Sequence, residues 1–438
     1  MIRKMMRRRT ALTLSLGALA SCSTPKAKIV GVQIPVLPDT GAFVVAVDAP
    51  SVTLPPAIAL DHWPQQLANA AHAPGNAAGP TTLNPHWVTN IGEPGGYRQP
   101  LLATPLLAGD RVFTMDANAV VTAHALSDGS QVWRRVTRPK HATEQNIGGG
   151  IGYDQGKIYA STGYGELLAL DAASGNILWR QALDYPTRTA PMIAGGLVAV
   201  VVQNDLLLTF DAGTGTPGWR FTGSVTDNSG AAVGITGAPA YADGIVVAGF
   251  SSGTLAALDA NSGTPLWEQS LASSFGQASS LDFSDIVAAP VISGGVVYAI
   301  GLGNTAMAVD LHSGAKVWTH AASGTNAYCV AGEFVFLLDK TQTLFAIHAD
   351  DGLVSWSLSM PKYHVPKKKK KPLIWSGPVM VNGQLLLTND FGEIAFVDSV
   401  AGTLQSKGKL AGPADLTPIA AGGVLVQLTR DAKLTAYG

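Results

Sequence analysis

The chain has 438 residues, of which 47% are hydrophobic and 13% are charged, so it has ample apolar material for a core. Its 29 basic and 30 acidic residues give a formal net charge of −1, which argues against nucleic acid as a partner for its surface. The 49 glycines and 26 prolines indicate many turns, and apolar runs such as GLVAVVVQ are short and β-branched. The composition therefore favours an all-β fold over a helical one.

The N-terminus has the layout of a secretory signal. MIRKMMRRR is basic, and the apolar TALTLSLGALA that follows it is too short to span a bilayer as a stable helix. Residues 19–22 (LASC) read as a lipobox, so we expect a signal peptide at 1–21 and a diacylglyceryl-modified Cys22; a plain signal peptide is the alternative. Removing 1–21 leaves 24 basic and 30 acidic residues, a net charge of −6. Ser23 follows the cysteine, which in bacterial lipoproteins favours export to the outer membrane.

Residues 22–80 are predicted to form a lipid-anchored tether. STPKAKIVGVQIPVLPDTG and HAPGNAAGPTTLNP are rich in Pro, Gly and Ala, a composition typical of extended linkers. VTLPPAIALDHWPQQLA (52–68) has more apolar content and is a candidate for docking on the folded domain. We expect the segment to be extended or partly ordered.

From residue 81 onward the chain is repetitive. A motif of the type LALDAASGNILW recurs seven times, with an average spacing of about 45 residues between its glycines. A period of about 40–50 residues with several short strands per unit is typical of a β-propeller. The motif glycines are Gly129, Gly175, Gly215, Gly263, Gly314, Gly352 and Gly402.

The unit at 285–319 shows the plan of one blade, with four predicted strands and the motif between strands three and four. The motif Asp accepts a turn amide, Gly supplies the positive φ of a tight connection, and Trp is expected to lie across the neighbouring blade. A ligand site is needed once, whereas this motif recurs in successive units. We therefore interpret it as a packing device and not as a cofactor loop.

The two ends of the chain predict how the ring closes. The C-terminal TPIAAGGVLVQLTRDAKLTAYG supplies three strands without a fourth, whereas NPHWVTNIG (84–92) is strand-like and has no blade of its own. An N-terminal strand that completes the last blade would remove both free edges. We predict an eight-bladed, all-β propeller over 81–438, with four-stranded antiparallel blades; seven blades is the alternative.

Sequence patterns associated with catalysis or metal binding are weak. GFSSG (249–253) matches a nucleophile elbow, but a strand follows Ser251 where that chemistry needs a helix. IGGGIGYDQG (147–156) also precedes a strand, so it lacks the helix N-terminus that binds phosphate. None of the nine histidines has close ligand spacing. Cys329 lies in the apolar NAYCVAG and would have no pairing partner beside an acylated Cys22, so we predict a buried thiol without a disulfide.

The run PKKKKKP (366–372) is the most unusual charge feature. Five adjacent lysines repel one another, so we expect a mobile loop between blades. The simplest interpretation is a solvated loop. The alternative is contact with an anionic surface such as lipid phosphates, to which each lysine would add roughly 1 kcal/mol. The residues concerned are Lys367, Lys368, Lys369, Lys370 and Lys371.

Together, the signal, the lipobox, NPHWVTNIG and the repeated VYAxxxxGxLxALDAxSGxxxW units resemble BamB-type lipoproteins of the outer-membrane β-barrel assembly machinery, over roughly 80–438. The resemblance implies a non-catalytic scaffold without a cofactor, anchored in outer-membrane lipid through Cys22 and facing the periplasm. It also implies binding to the periplasmic POTRA region of BamA, with nascent outer-membrane proteins as a further candidate partner.

The run at 266–299 is similar to the family's stretch in which a long loop leads through a Ser-Asp pair into an inner strand. The pair maps onto Ser284 and Asp285, preceded by Leu281, Asp282 and Phe283. A carboxylate there suits a basic partner residue. The alternative is that Asp285 only caps the entry to the strand.

Two departures from the family pattern affect the predicted interface. The family's second acidic position is Val287 in this chain. The family's other contact loop falls near 223–232, which has no arginine, so Val225 and Asp227 are the candidates there.

Two other functions compete with the scaffold role. Pyrroloquinoline-quinone-dependent dehydrogenases share the eight-bladed ring, and by resemblance many carry a vicinal Cys pair and an acidic calcium set. The mature chain would keep only Cys329 besides the acylated residue, and no compact acidic cluster is visible. The third hypothesis is a lipid-anchored propeller for a different periplasmic partner.

Overall fold

The computed structural model describes residues 43–80, 82–223, 236–272 and 283–438. Over these ranges the chain forms 34 strands and a single short 3-10 turn, Pro366–Lys368. Thirty-two strands build eight four-stranded antiparallel sheets, and the other two form a hairpin. The prediction of eight blades is confirmed, and the alternative of seven is wrong.

The strands follow in chain order. The first is β1 (Pro85–Asn90). Blades 1 to 4 contain β2 (Leu106–Ala108), β3 (Arg111–Met115), β4 (Val120–Ala125), β5 (Gln131–Val136), β6 (Gly149–Asp154), β7 (Lys157–Thr162), β8 (Glu166–Asp171), β9 (Ile177–Ala182), β10 (Met192–Ala194), β11 (Leu197–Val202), β12 (Leu206–Asp211), β13 (Pro217–Thr222), β14 (Ala240–Ala242), β15 (Ile245–Gly249), β16 (Thr254–Asp259) and β17 (Pro265–Ser270).

Blades 5 and 6 contain β18 (Val291–Ser293), β19 (Val296–Ile300), β20 (Ala306–Asp310), β21 (Lys316–His320), β22 (Cys329–Ala331), β23 (Phe334–Leu338), β24 (Thr343–His348) and β25 (Val354–Ser359). The hairpin consists of β26 (Tyr363–Val365) and β27 (Lys370–Pro372). Blades 7 and 8 contain β28 (Trp375–Val381), β29 (Gln384–Asn389), β30 (Glu393–Asp398), β31 (Thr403–Lys409), β32 (Ile419–Ala421), β33 (Val424–Leu428) and β34 (Lys433–Tyr437).

Each blade is a meander whose first strand faces the centre of the ring. First strands of successive blades lie side by side, from β2 and β6 round to β22 and β28. Middle strands are packed between neighbouring sheets and are apolar on both faces, as in β11 (LVAVVV). The outermost strands alternate instead; β17 (PLWEQS) buries only Trp267. This is the burial expected for strands with one solvated face.

The last blade is completed from the other end of the chain. Strand β1 pairs antiparallel with β34, with Trp87 opposite Ala436 and Val88 opposite Thr435. The order in that sheet is β1-β34-β33-β32, so the first and the last strand of the propeller share one blade. The predicted closing strand is confirmed. Closure leaves the ring without an unpaired blade edge at the seam.

The repeated motif joins each blade to the next. Seven tryptophans on outermost strands each cover a motif glycine of the following blade, where an ideal Cβ would lie only 2.5–2.7 Å from the indole ring. Their indole N–H groups donate to backbone carbonyls of the same turn at 2.7–3.3 Å. The tryptophans are Trp87, Trp133, Trp179, Trp219, Trp267, Trp318 and Trp356.

Blade 7 carries no such tryptophan, and the structure gives the reason. The fourth strand of blade 8 is β1 itself, so no turn joins β34 to a following strand and no glycine is available for a ring from β31. In β31, Ser406 pairs with Phe396, whereas the corresponding pair in blade 6 is Trp356 with Ala346. In blade 7 the aromatic residue of this pair is therefore on the third strand, where Phe396 packs against the core.

The motif aspartates hold the turns locally. Their Oδ1 atoms accept hydrogen bonds from the hydroxyl and the N–H of the Ser or Thr three residues later, at 2.6–2.8 Å. These side-chain hydrogen bonds lower the pKa of each carboxyl group. The motif is thus satisfied within the chain and holds the fold together. The residues are Asp171, Asp211, Asp259 and Asp310.

Residues 43–80 pack on the ring. The compact unit comprises Gly41–Gly438, so the stretch predicted as a tether over 22–80 includes a part that belongs to it. Near its start, Ala46 N–H donates to Val354 O on the outermost strand of blade 6. Further along, the chain passes inward to the first strands.

Residues 60–72, here called the axial segment, contact blades 8, 1, 2, 3, 4 and 5 in that order. Five of its carbonyl groups accept backbone hydrogen bonds at 2.7–3.0 Å. The acceptors are Leu60, Trp63, Pro64, Ala70 and Ala71, and the donors, in the same order, are the N–H groups of Gly422, Leu107, Tyr153, Tyr241 and Ile292. Gln65 bonds both the N–H and the O of Ile193 in blade 3. Since first strands surround the ring axis, the segment lies across the axial channel.

His72 at the end of the axial segment makes the stability of the ring depend on pH. It is buried, and its Nδ1–H donates to Pro290 O at 2.8 Å. Desolvation lowers its pKa from 6.5 to about 4, although the hydrogen bond to Pro290 opposes the shift. The folded chain therefore keeps His72 neutral where the unfolded chain binds a proton.

We expect His72 to reduce the free energy of unfolding as pH falls from 6.5 to about 4, by about 1.4 kcal/mol per pH unit. Above pH 6.5 both states are neutral, and the contribution is complete. Urea unfolding at pH 7, 5.5 and 4.5 measures it, with His72→Gln as the comparison because Gln does not titrate. Parallel pH profiles for the two proteins would contradict the assignment.

The lysine run lies in the connection between blades 6 and 7, where it forms a hairpin. Tyr363 pairs with Pro372 and Val365 with Lys370, and the 3-10 turn forms the tip. All five lysines are exposed, so their mutual repulsion is screened by water and does not prevent pairing. No helix in the described part of the chain is long and apolar enough to cross a membrane.

Candidate functional site

The predicted partner-binding residues lie in connections between blades. Phe283, Ser284 and Asp285 are in the connection from β17 to β18, which links blades 4 and 5. Leu281, Asp282, Val225 and Asp227 lie outside the described residues, as does the predicted lipidation site Cys22. The structure therefore locates three of the seven interface candidates. We call the side of the ring that carries the connections between successive blades the loop face.

Asp285 is completely buried, so a partner cannot reach its carboxylate in this conformation. Its backbone carbonyl accepts from Leu302 N–H at 2.9 Å, and the next residue, Ile286, donates to Phe250 O. Asp285 thus lies where the connection enters blade 5. The carboxylate expected to face a basic partner is inside the fold, which changes which residues of this element a partner can contact.

Phe283 and Ser284 are the accessible members of the group. The side chain of Phe283 is 41% exposed, although a buried aromatic ring would be the norm. Ser284 is half-buried and donates from Oγ to Ser251 O at 3.3 Å, which ties the connection to a turn of blade 4. The described part of the predicted contact element therefore consists of one exposed aromatic ring, and its backbone is held in place at Ser284 and Asp285.

Asp205 fixes the neighbouring turns, a role that the sequence did not reveal. Its Oδ1 accepts from the N–H and Oγ of Ser251, both at 2.7 Å, and its Oδ2 accepts from Ser252 N–H at 2.9 Å. This carboxylate of blade 3 thereby clamps the β15–β16 turn of blade 4. Ser251 serves as a donor to Asp205 in a hairpin, as its strand context predicted, and lacks the setting of a nucleophile.

A cleft of about 250 Å³ adjoins this clamp, lined by Arg188, Gln203, Asn204, Asp205, Thr236 and Ser251. Thr236 is where the described chain resumes after 224–235. The cleft therefore borders the root of the connection between blades 3 and 4, which contains the second predicted contact loop.

A second cleft, of about 170 Å³, opens at the ring axis on the loop face. Trp63, Gln66 and Leu67 of the axial segment contribute to its lining. Residues that precede first strands, including Val287 and Thr417, also line it. Val287, where the resemblance predicted an acidic residue, lines this axial cleft. The axial segment thus lies at the bottom of this cleft, which is a shallow depression at the ring axis.

The described residues contain no group of three or more His, Cys, Asp or Glu that could hold a metal ion. His124 is buried and lies 3.2 Å from Gly129 O through Nδ1, and His348 bonds Asp351 at 2.9 Å. His348 stands at the position that Asp occupies in other motifs, whereas Ala125 holds that position in blade 1 and His124 precedes it. His141 and His312 are exposed.

Cys329 is buried on β22, and its thiol is free. Burial raises the pKa of the thiol to about 12, so the thiolate needed for nucleophilic or metal chemistry is not formed near neutral pH. The residue acts as a small apolar side chain between blades 6 and 7.

Comparisons with known proteins point to one family. The family model described as outer membrane protein assembly factor BamB matches residues 117–358, more than half of the chain. The outer membrane protein assembly factor BamB of Yersinia pestis is 24% identical over 339 residues, covering 75% of this chain and 83% of that protein.

Two solved structures show the likeness of fold. The crystal structure of BamB from Moraxella catarrhalis superposes with a TM-score of 0.66 at 19% identity, covering 80% of this chain and 99% of that one. Quinohemoprotein alcohol dehydrogenase from Comamonas testosteroni reaches 0.69 at 12% identity, covering 87% and 81%. At these identities the likeness to solved structures shows the fold alone.

Proposed function

Because the chain belongs to the family of the outer membrane protein assembly factor BamB, as the resemblance in its sequence indicated, we propose that it is a non-catalytic scaffold lipoprotein of the outer-membrane β-barrel assembly machinery. In this role it binds the periplasmic POTRA region of BamA and assists the folding and insertion of barrel proteins. Cys22 carries the lipid anchor at the periplasmic side of the outer membrane.

The observation that carries the proposal is the exposed Phe283 in the connection between blades 4 and 5. The repeated motifs are used for blade packing, so specificity has to come from features that differ between blades. Phe283 is such a feature, and it lies in the element that the family resemblance assigns to partner contact. An exposed aromatic ring beside a polar rim is the composition of an interface hot spot.

Within this element the residues have different tasks. Phe283 contacts the partner together with Leu281 and Asp282, which precede it in the chain. Ser284 and Asp285 hold the backbone against blades 4 and 5, and so set the direction from which the ring of Phe283 is presented. Val225 and Asp227, which belong to the connection between blades 3 and 4, extend the interface.

Replacing Phe283 with aspartate is expected to weaken binding to purified POTRA domains at least tenfold, because the change removes an apolar anchor and adds a charge that must be desolvated. Titration of the mature protein against the POTRA domains measures the dissociation constant. The matched control is Leu266→Asp on the outermost strand of blade 4, where the side chain is 48% exposed.

The outcomes separate the complex from the site. A wild-type protein that fails to bind would overturn the proposed function. Equal affinity of wild type and Phe283→Asp would leave the complex and reject Phe283 as its contact. Asp285 is unsuitable as a test position, because its burial means that a charge-reversing substitution would disturb the fold before it changed any interface.

A dehydrogenase role is not part of this proposal. The similarity to alcohol dehydrogenases is one of fold, and the axial segment fills part of the space at the ring axis. Titrating the purified protein with pyrroloquinoline quinone and calcium, followed by a dye-reduction assay with alcohols, tests this directly. Any turnover would overturn the scaffold assignment.

A further inference from the structure

The hairpin of β26 and β27 presents a dense positive charge on the loop face. Lys367, Lys368, Lys369, Lys370 and Lys371 follow one another around its tip, and all are exposed. Two of them, Lys369 and Lys371, have positive φ values of 46° and 58°. The backbone reverses direction at the tip, so the five ammonium groups are grouped on one short protrusion.

The hairpin is fixed to the ring at its base. Leu373 N–H donates to Lys362 O at 3.0 Å, and the buried Trp375 donates from its indole to Pro361 O at 2.8 Å. Asp390 in the β29–β30 turn accepts from Ile374 N–H at 2.9 Å. These bonds tie both ends of the hairpin to blade 7, so the lysines are held in a defined place.

Apolar side chains lie directly beside the charges. Ile374 is 61% exposed and Phe391 is 38% exposed. The ring of His364 stacks on Phe391 with centroids 4.8 Å apart, and Lys371 Nζ lies 6.0 Å from the centroid of Phe391. We refer to the five lysines with Ile374 and Phe391 as the basic patch.

The positive charge of the basic patch is not neutralised within the described part of the chain. The ion pairs found there involve other basic residues, and the nearby Lys407 already contacts Glu393 at 3.4 Å. Asp390 lies at the foot of the hairpin, and its Oδ1 accepts a hydrogen bond from Ile374 N–H. Five adjacent lysines in a mature chain of net charge −6 concentrate the positive charge in one place.

We propose that the basic patch binds the phosphate groups of anionic phospholipids at a membrane surface. Lysines attract the lipid phosphates, while Ile374 and Phe391 enter the boundary between headgroups and acyl chains. This pairing of exposed apolar and cationic side chains favours a lipid surface over an acidic protein segment, which would need polar or charged neighbours in place of Ile374. The contact would add to the acyl anchor and would orient the ring relative to the membrane surface.

The test uses the mature chain with Cys22→Ser, so that no acyl chain forms, and vesicles of phosphatidylcholine with or without 30% phosphatidylglycerol. Wild type is expected to sediment with the anionic vesicles and not with the neutral ones, and sodium chloride at about 0.5 M should release it. The triple variant Lys367→Ser, Lys368→Ser, Lys370→Ser is expected to lower the partition coefficient at least tenfold, given about fivefold per lysine. It leaves the two positive-φ lysines unchanged.

Two further variants make the result specific. Lys140→Ser, Lys316→Ser, Lys433→Ser removes the same charge from exposed positions on other blades and is expected to keep wild-type binding. Phe391→Ser is expected to weaken binding by a similar factor at every salt concentration at which wild type still binds, because the apolar contribution is not screened. If both lysine triples lowered the partition coefficient equally, net charge alone would explain the binding, and the proposal would be overturned.

The outcome is independent of BamA, because no partner protein is present. If the hairpin triple kept vesicle binding but lost POTRA binding in the titration above, the basic patch would be a protein-docking site, and the lipid assignment would be wrong.

Discussion

Replacing Trp63 with alanine is expected to lower the free energy of unfolding by about 3–5 kcal/mol. Trp63 is almost fully buried where the axial segment meets blades 7, 8 and 1. Alanine would leave a cavity among side chains of three blades, which are held by their own sheets and can collapse only in part. Urea unfolding monitored by far-UV circular dichroism measures the loss.

Two control substitutions identify its origin. Trp63→Phe keeps an aromatic ring and removes an indole N–H that has no hydrogen-bond partner among the described residues, so it is expected to lose less than half as much. Tyr97→Ala removes an exposed aromatic side chain and should change stability by no more than about 0.5 kcal/mol. A Trp63→Ala protein as stable as wild type would mean that the axial segment is not part of the core.

Gly129→Ala is expected to destabilise the seam of the ring by about 2–5 kcal/mol. Gly129 has a φ of +71°, a conformation that costs an alanine about 1–2 kcal/mol. An added Cβ would also lie 2.5 Å from the ring of Trp87, so the tryptophan that joins β1 to blade 1 must move. Displacing a packed ring adds about 1–3 kcal/mol.

Gly423→Ala separates the two costs. Gly423 has nearly the same φ, +75°, and no heavy atom within 4 Å of an added Cβ. It is therefore expected to show the conformational cost alone, and the difference between the variants measures the contact with Trp87. Equal losses, measured by urea unfolding, would mean that the tryptophan contact contributes nothing to closure.

The ring itself was predictable because its information is local and repeated. Six of the seven motif glycines are followed by a tryptophan within a few residues, and NPHWVTNIG stood out as a strand without a blade. What the repeat count could not show is that Trp87 is the partner of Gly129, while blade 7 needs no tryptophan. That pairing depends on which strand fills the fourth place of blade 8, a property of the closed ring.

The axial segment and the interface were less predictable, for a different physical reason. Leu60, Trp63 and Gln65 have partners on different blades, so their spacing follows the circumference of the ring and gives no helical or strand period. The burial of Asp285 depends on neighbours from blades 4 and 5. For the lysine run, the sequence predicted a loop between blades but did not indicate the pairing of Tyr363–Val365 with Lys370–Pro372.

The pairing of β1 with β34 has a consequence for the order in which the chain folds. The residues of β1 are synthesised more than 300 positions before those of β34, and the axial segment earlier still. Strand β1 cannot reach β34, and Leu60 of the axial segment cannot reach Gly422, until blade 8 has emerged from the ribosome, since that blade is the last to be made. Contacts of such long sequence separation form slowly and leave apolar strands exposed meanwhile. A nascent chain lacking only its last twenty residues would hold seven formed blades and still be an open arc.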